Sequence, residues 1–211
     1  MEEELFTSGR NIPNIDPSLE IWHWPISLYL FLGGLAAGLL FFAALFTILK
    51  KESETPATVK YAGLIASLAL IVGLIALFYD LTHKIYFWRL YTTIRLESPM
   101  SWGAWVLLLT TPLAILWTFS YFSELFPKVN LTFGFLKKFQ KFLVTNRLNM
   151  AYALIPLSIV LGIYTGILLS AFNARPLWNN AILGPLFLTS GLSTAAATII
   201  LCSKSHFERS L

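Results

Sequence analysis

The chain has 211 residues, 56% of them hydrophobic and 12% charged, with a formal net charge of +4. Soluble domains carry charge on about a quarter of their residues, so a water-soluble globule is excluded, and an aromatic content of 15% excludes a disordered chain. The lysines and arginines lie between hydrophobic runs and form no stripe interleaved with aromatics, so they read as topology signals for a lipid membrane, and no nucleic-acid partner is expected.

Residues 1–21 open with Glu2, Glu3 and Glu4, where a secretory leader carries positive charge, so no cleaved leader is expected and this stretch reads as an outer N-terminal segment. Residues 22–203 follow as a transmembrane bundle, and residues 204–211 as an inner C-terminal tail. Within the bundle the apolar segments are 25–49, 59–81, 102–125, 150–172 and 181–202. At about 1.5 Å of rise per residue each crosses a hydrocarbon layer of ~30 Å. Unbroken runs of this length are incompatible with the alternation of a membrane barrel, so the fold class is all-α, a polytopic membrane helical bundle of about five transmembrane helices.

In the first span Gly34 and Gly38 share one helix face, as do Gly162 and Gly166 in the fourth. Such pairs let a neighbouring helix approach closely, although glycine is also simply common in membrane helices. Tyr164 is turned about 200° from Gly162, away from that seam.

Five spans place Arg10, Lys84, Arg89, Arg95 and Arg175 on one side. They place Lys50, Lys51, Lys60, Lys128, Lys137, Lys138, Lys141, Arg147, Lys204 and Arg209 on the other. The positive-inside rule then puts the N-terminus outside and the C-terminus inside. The inner connections, including the long one over 126–149, read as lysine-rich and otherwise plain.

The costly residues collect at the outer ends. Trp22-His23-Trp24-Pro25 precedes the first span, Asp80 and His83 end the second, and Glu97 to Trp105 opens the third. Asn173-Ala174-Arg175-Pro176-Leu177-Trp178-Asn179-Asn180 follows the fourth. An ionisable side chain such as Asp80 near an apolar run faces a wet cavity or a partner, or snorkels to the interface. Trp22, Trp88 and Trp117 read as members of the aromatic belt that anchors helix ends at headgroup level. Tyr164 needs a hydrogen-bond partner if buried, either a neighbouring helix or the carbonyl of a ligand.

Cys202 is the single cysteine, so an internal iron–sulfur or cysteine-ligated zinc centre is excluded and no metal is expected in this chain. The three histidines, His23, His83 and His206, all lie outside the span centres, so a haem-bearing b-type cytochrome is not expected either. No phosphate loop or nucleophile-plus-base constellation is present in the sequence.

Four stretches together resemble a known family. They are Trp22-His23-Trp24-Pro25 running into Tyr29-Leu30-Phe31-Leu32-Gly33-Gly34-Leu35-Ala36-Ala37-Gly38; Ser98-Pro99-Met100-Ser101-Trp102-Gly103-Ala104-Trp105; Gly162-Ile163-Tyr164-Thr165-Gly166; and Arg175-Pro176-Leu177-Trp178-Asn179. The resemblance is to the NrfD/PsrC-type membrane subunits of polysulfide reductase and related quinone-linked oxidoreductases, and it covers most of residues 20 to 195. It implies a haem-free subunit of the prokaryotic inner membrane that binds menaquinone or ubiquinone near the outer surface. It also implies a docked iron–sulfur electron-transfer subunit and a separate catalytic subunit.

By the same resemblance, the tyrosine matching Tyr164 bonds a quinone carbonyl. Tyr29 stands where relatives have histidine and Ile26 where they have asparagine. Asp80 carries over, but the glycine, proline and arginine that follow it in relatives do not, and Lys84 and Arg89 are the nearest substitutes for that charge. Relatives have eight spans in two four-helix bundles, and this sequence contains the first bundle and one span more. The resulting expectation is that Tyr164 donates to one quinone carbonyl, with the donor to the opposite carbonyl left open. Asp80 or His23 exchanges protons, Trp102, Trp105 and Trp178 wall the pocket, and Tyr29, Arg175 and Asn179 complete the cofactor-binding set. A plain membrane anchor for a redox complex, or a remnant of such a subunit, is the alternative. A small transporter is disfavoured, because five spans show no paired halves.

Overall fold

The computed structural model describes residues 24–81, 83–92, 98–128, 134–170 and 180–203. His23, Arg175, Trp178, Asn179, Trp22 and Glu97 lie outside the described residues, as do the segments 1–21 and 204–211.

Five helices are long and apolar enough to cross a membrane, which makes this an integral membrane protein with an all-α bundle. They are α1 (Trp24–Ile48), α2 (Ala62–Asp80), α4 (Pro99–Ser120), α7 (Arg147–Ser170) and α8 (Leu183–Cys202). Between them lie the short helices α3 (Arg89–Thr92) and α5 (Phe122–Leu125) and the twelve-residue α6 (Gly134–Thr145). A π-helical turn, Ala57–Tyr61, leads into α2, so the second span runs Ala57–Asp80.

Helices α1, α2, α4 and α7 form a closed ring in which each touches the next, and α8 lies against α1 and α7. The surface is inverted relative to a soluble protein. Leu68, Ile71, Val72 and Ile75 of α2 recur at helical spacing and point outward, where lipid replaces water as the neighbour.

Close packing is achieved with small residues, as the glycine pairs require. A Cβ on Gly38 would overlap the Gly191 backbone and sit 2.6 Å from the Ala195 Cβ, while Gly191 in turn faces the backbone of Gly34. Gly162 faces Leu188, and Gly166 meets the backbone of Leu183 and Gly184. The two glycine pairs read from the sequence are therefore the two seams that hold α8, one on α1 and one on α7. Between α2 and α4 a hydroxyl clasp does the same work: Ser67 Oγ lies 2.9 Å from the Ala114 carbonyl oxygen and 2.8 Å from Thr118 Oγ1.

The end of the bundle carrying Lys60 and Arg147 differs from its sequence reading. Trp117 is not a belt residue. Its side chain is fully buried, its ring fills the space left by Gly63, and its indole N–H donates to the Val59 carbonyl in the π turn at 3.2 Å. The connection over 126–149 is not plain either, since it contains α6.

The third span ends at Ser120, earlier than its apolar run. Arg147 takes the Ser120 carbonyl with an N–H donor at 2.6 Å, and the Glu124 amide turns back to Tyr121 instead. The same guanidinium reaches Glu124 at 2.9 Å and Glu52 at 3.8 Å and lies 3.6 Å over the Tyr121 ring, while Lys60 pairs with Glu124 at 2.7 Å. One arginine thus ties the starts of α2 and α7 to the end of α4.

Candidate functional site

The opposite end of the bundle, formed by the starts of α1 and α4 and the ends of α2 and α7, is where the sequence concentrates its polar residues. Tyr29 is five residues into α1 from Trp24, Gly103 four into α4 from Pro99, and Tyr164 six before Ser170 of α7. At about 1.5 Å per residue all three lie at a similar depth, one to two turns below the helix ends.

Tyr164 turns away from its glycine seam and crosses to α4. A Cβ on Gly103 would overlap the Tyr164 phenol ring and its oxygen, so only glycine at this position lets the phenol occupy the gap. Tyr29, buried on the facing side of the ring, lies against Gly73 of α2, where a Cβ would come 3.5 Å from its ring. The Tyr29 hydroxyl approaches that of Tyr164 across the ring of helices without the geometry of a hydrogen bond. It is buried without a hydrogen-bond partner. A buried hydroxyl in that condition costs about 1–3 kcal/mol, which an acceptor entering the site would recover.

Beside Tyr164 runs a cleft of ≈ 310 Å³ between α4 and α7. Pro99, Trp102 and Val106 line it from α4, and Val160, Ile163, Tyr164 and Ile167 from α7, each set recurring at helical spacing. The lining is apolar except for the Tyr164 hydroxyl and the Trp102 indole. Such a cleft accepts a flat ring or an isoprenoid chain and presents one phenolic donor to it. Tyr164 is the buried phenol in that lining, and Tyr29 lies outside it.

Trp102 walls the cleft, as the sequence suggests, whereas Trp105 lies on the bundle surface outside its lining. Asp80 is the last residue of α2, partly exposed, and forms no ion pair among the described residues. Lys84 and Arg89 lie over aromatic rings, Lys84 over Tyr79 at 4.7 Å and Arg89 over Tyr86 at 4.7 Å, which anchors the connection between α2 and α4. Gly103 and Gly73 are site residues that sequence reasoning misses. Gly103 stands inside the Ser98 to Trp105 motif, but only the structure shows that Tyr164 fills its place.

A family described as "Polysulphide reductase, NrfD" matches residues 12–210. The protein is 33% identical to the C subunit of polysulfide reductase from Wolinella succinogenes over 192 residues, covering 90% of its own length and 60% of that relative. It is 33% identical to protein NrfD of Escherichia coli over 191 residues, covering 86% of its own length and 59% of the relative. A NrfD homolog of Haemophilus influenzae is 31% identical over 201 residues, covering 90% and 61%. The sequence thus spans about three fifths of the length of these relatives. With the match extending over nearly all its residues, the chain belongs to the NrfD polysulphide reductase family of membrane proteins.

Proposed function

We propose that this chain is the quinone-interacting membrane subunit of a respiratory oxidoreductase, exchanging electrons between membrane quinone and a docked iron–sulfur subunit that serves a separate catalytic subunit. The observation that carries the reading is the buried phenol of Tyr164 in the lining of the apolar cleft, with the buried Tyr29 hydroxyl, which completes no hydrogen bond, behind it. The names of the relatives, a polysulfide reductase subunit and NrfD proteins, support it.

Oxidation of a quinol to a quinone releases two electrons and two protons, so the site needs donors that orient the ring oxygens and a group that accepts protons. Tyr164 and Tyr29 supply the oriented donors, one from each side of the helix ring. Trp102, Val106, Val160, Ile163 and Ile167 hold the ring edge and its isoprenoid tail, and the opening between α4 and α7 gives entry from the lipid. Asp80 and His23 exchange the protons, Asp80 being the partly exposed carboxylate at the end of α2.

Arg175, Trp178, Asn179 and Trp105 belong to the quinone-binding set by the resemblance to the family. The 173 to 180 segment and the Glu97 stretch form the docking surface for the iron–sulfur partner. In the inner membrane the N-terminus and this site face outward and the C-terminus inward, with menaquinone or ubiquinone as substrate.

Substituting each tyrosine in turn tests the reading. Quenching of Trp102 fluorescence by a quinol analogue is measured on the detergent-purified protein beside thermal unfolding. Tyr164→Phe is expected to abolish quinol turnover and to weaken analogue binding about tenfold, the worth of one buried hydrogen bond, while the helices stay folded. Tyr29→Phe is expected to weaken binding as well but to stabilise the ligand-free protein by about 1 kcal/mol, because it removes a hydroxyl that has no partner. Unchanged turnover in Tyr164→Phe removes that residue from the site. Absence of binding in the unsubstituted protein favours an inert anchor.

A further inference from the structure

The twelve residues of α6 form no part of the helix ring or of the quinone site, and their pattern has a direction. At about 100° per residue, Phe135, Phe139, Phe142 and Leu143 fall on one side of the helix, Lys137 and Lys141 on the other, and Lys138 on the edge beside Phe142. Only Leu143 is buried. Phe135 is 78% exposed and Phe142 62%.

The apolar side is continuous with the lipid-facing surface of the bundle. Phe135 stacks on Phe139, Phe139 lies 6.0 Å from Phe119 near the end of α4, and Phe119 and Phe122 continue the row to Phe126. Ser123 fixes the helix from the side by donating to Gln140 at 2.8 Å. The next residues after α6 lead directly into α7, so the helix is held at the level where the spans leave the membrane.

The lysine side is unneutralised. Among the described residues Lys137, Lys138 and Lys141 have no acidic partner, and the nearby Glu124 is already shared by Lys60 and Arg147.

We propose that α6 lies flat in the membrane interface, with its phenylalanines in the acyl boundary, and that Lys137, Lys138 and Lys141 form a binding surface for anionic phospholipid headgroups. A helix with aromatic residues on one face and lysines on the other is the form that binds this way, through buried apolar area and attraction to negative lipid. Continuity with the phenylalanine row that runs from Phe119 of α4 through Phe122 of α5 to the exposed Phe126 assigns the occupant of the apolar face, and charge complementarity assigns the headgroup.

The test uses the full protein with Cys202→Ser, reconstituted in membranes of phosphatidylcholine and phosphatidylglycerol in equal parts. Nitroxide labels at Phe135→Cys, Phe142→Cys and Lys137→Cys report access to oxygen and to a water-soluble relaxant. The expected result is oxygen access at Phe135 and Phe142 and aqueous access at Lys137. In parallel, native mass spectrometry counts lipids retained by the protein and by the triple variant Lys137→Gln, Lys138→Gln, Lys141→Gln. The preference for phosphatidylglycerol is expected to fall by up to about fivefold for each lysine removed. Labels at Phe135 and Phe142 that meet water, or that are shielded from both relaxants as under a protein partner or a second copy, overturn the proposal. So does an unchanged lipid preference in the triple variant.

Discussion

Replacing Gly103 by alanine is expected to cut the proposed quinol turnover by on the order of a hundredfold or more, in a protein whose five spans remain assembled. The added methyl overlaps the Tyr164 ring and its oxygen, so the phenol must rotate or withdraw from α4. Because the overlapping atoms belong to the far end of a side chain, the helix pair accommodates the change by moving that side chain. The donor then points away from the cleft, and a displacement of about 1 Å from working geometry costs on the order of 10² in rate. The double variant Gly103→Ala, Tyr164→Phe distinguishes this from a general packing defect. If alanine acts only by displacing the phenol, the double variant is no slower than Tyr164→Phe alone. Wild-type turnover in Gly103→Ala refutes the assignment.

Arg147→Met is the change expected to cost most in stability, about 2–3 kcal/mol in a denaturant or thermal titration in detergent. It removes the donor to the Ser120 carbonyl, the pairs to Glu124 and Glu52 and the cation over Tyr121 in a single step. Arg147→Lys is expected to restore less than half of this. An ammonium keeps the charge but cannot serve a carbonyl and a carboxylate from one planar fork while lying on a ring.

The same titration has a pH signature. Burial pushes the Glu124 carboxyl up, but hydrogen bonds and charge from Lys60 and Arg147 outweigh it and hold the group below the usual carboxylate range. A carboxylate depressed in the folded state stabilises fully above its unfolded pKa, about 4.3, and the contribution is lost as pH falls through the folded value. The unsubstituted protein therefore loses stability on acidification through that window, and Arg147→Met loses less.

The five spans were legible because lipid leaves the backbone no alternative to helix, and their ends agree with the hydrophobic runs to within a few residues except where Arg147 stops α4 early. The glycine pairs were legible for a related reason, since residues four apart must share a face, but their partners Gly184 and Gly191 required the fold. Two kinds of information were not carried by the pattern. Trp117 has the composition of a belt residue, and only the tertiary contact with Gly63 and Val59 makes it part of the core. Arg147 looked like one more positive charge on its side, because its partners Glu52, Ser120 and Glu124 are scattered widely along the sequence. The phenylalanine spacing of α6 is visible in the sequence, but counting charge alone over that connection passes it by.

The seams on α8 also bear on how the protein is made. Helix α1 is synthesised well before α8, yet α8 is the neighbour that closes over Gly34 and Gly38. Membrane helices insert individually before they associate. During synthesis, therefore, α1 pairs early with α2 and waits with its glycine face bare to lipid until Gly191 arrives. A nascent polypeptide interrupted before α8 presents that bare strip, together with Gly162 and Gly166 of α7, as the surface a membrane quality-control protease would meet.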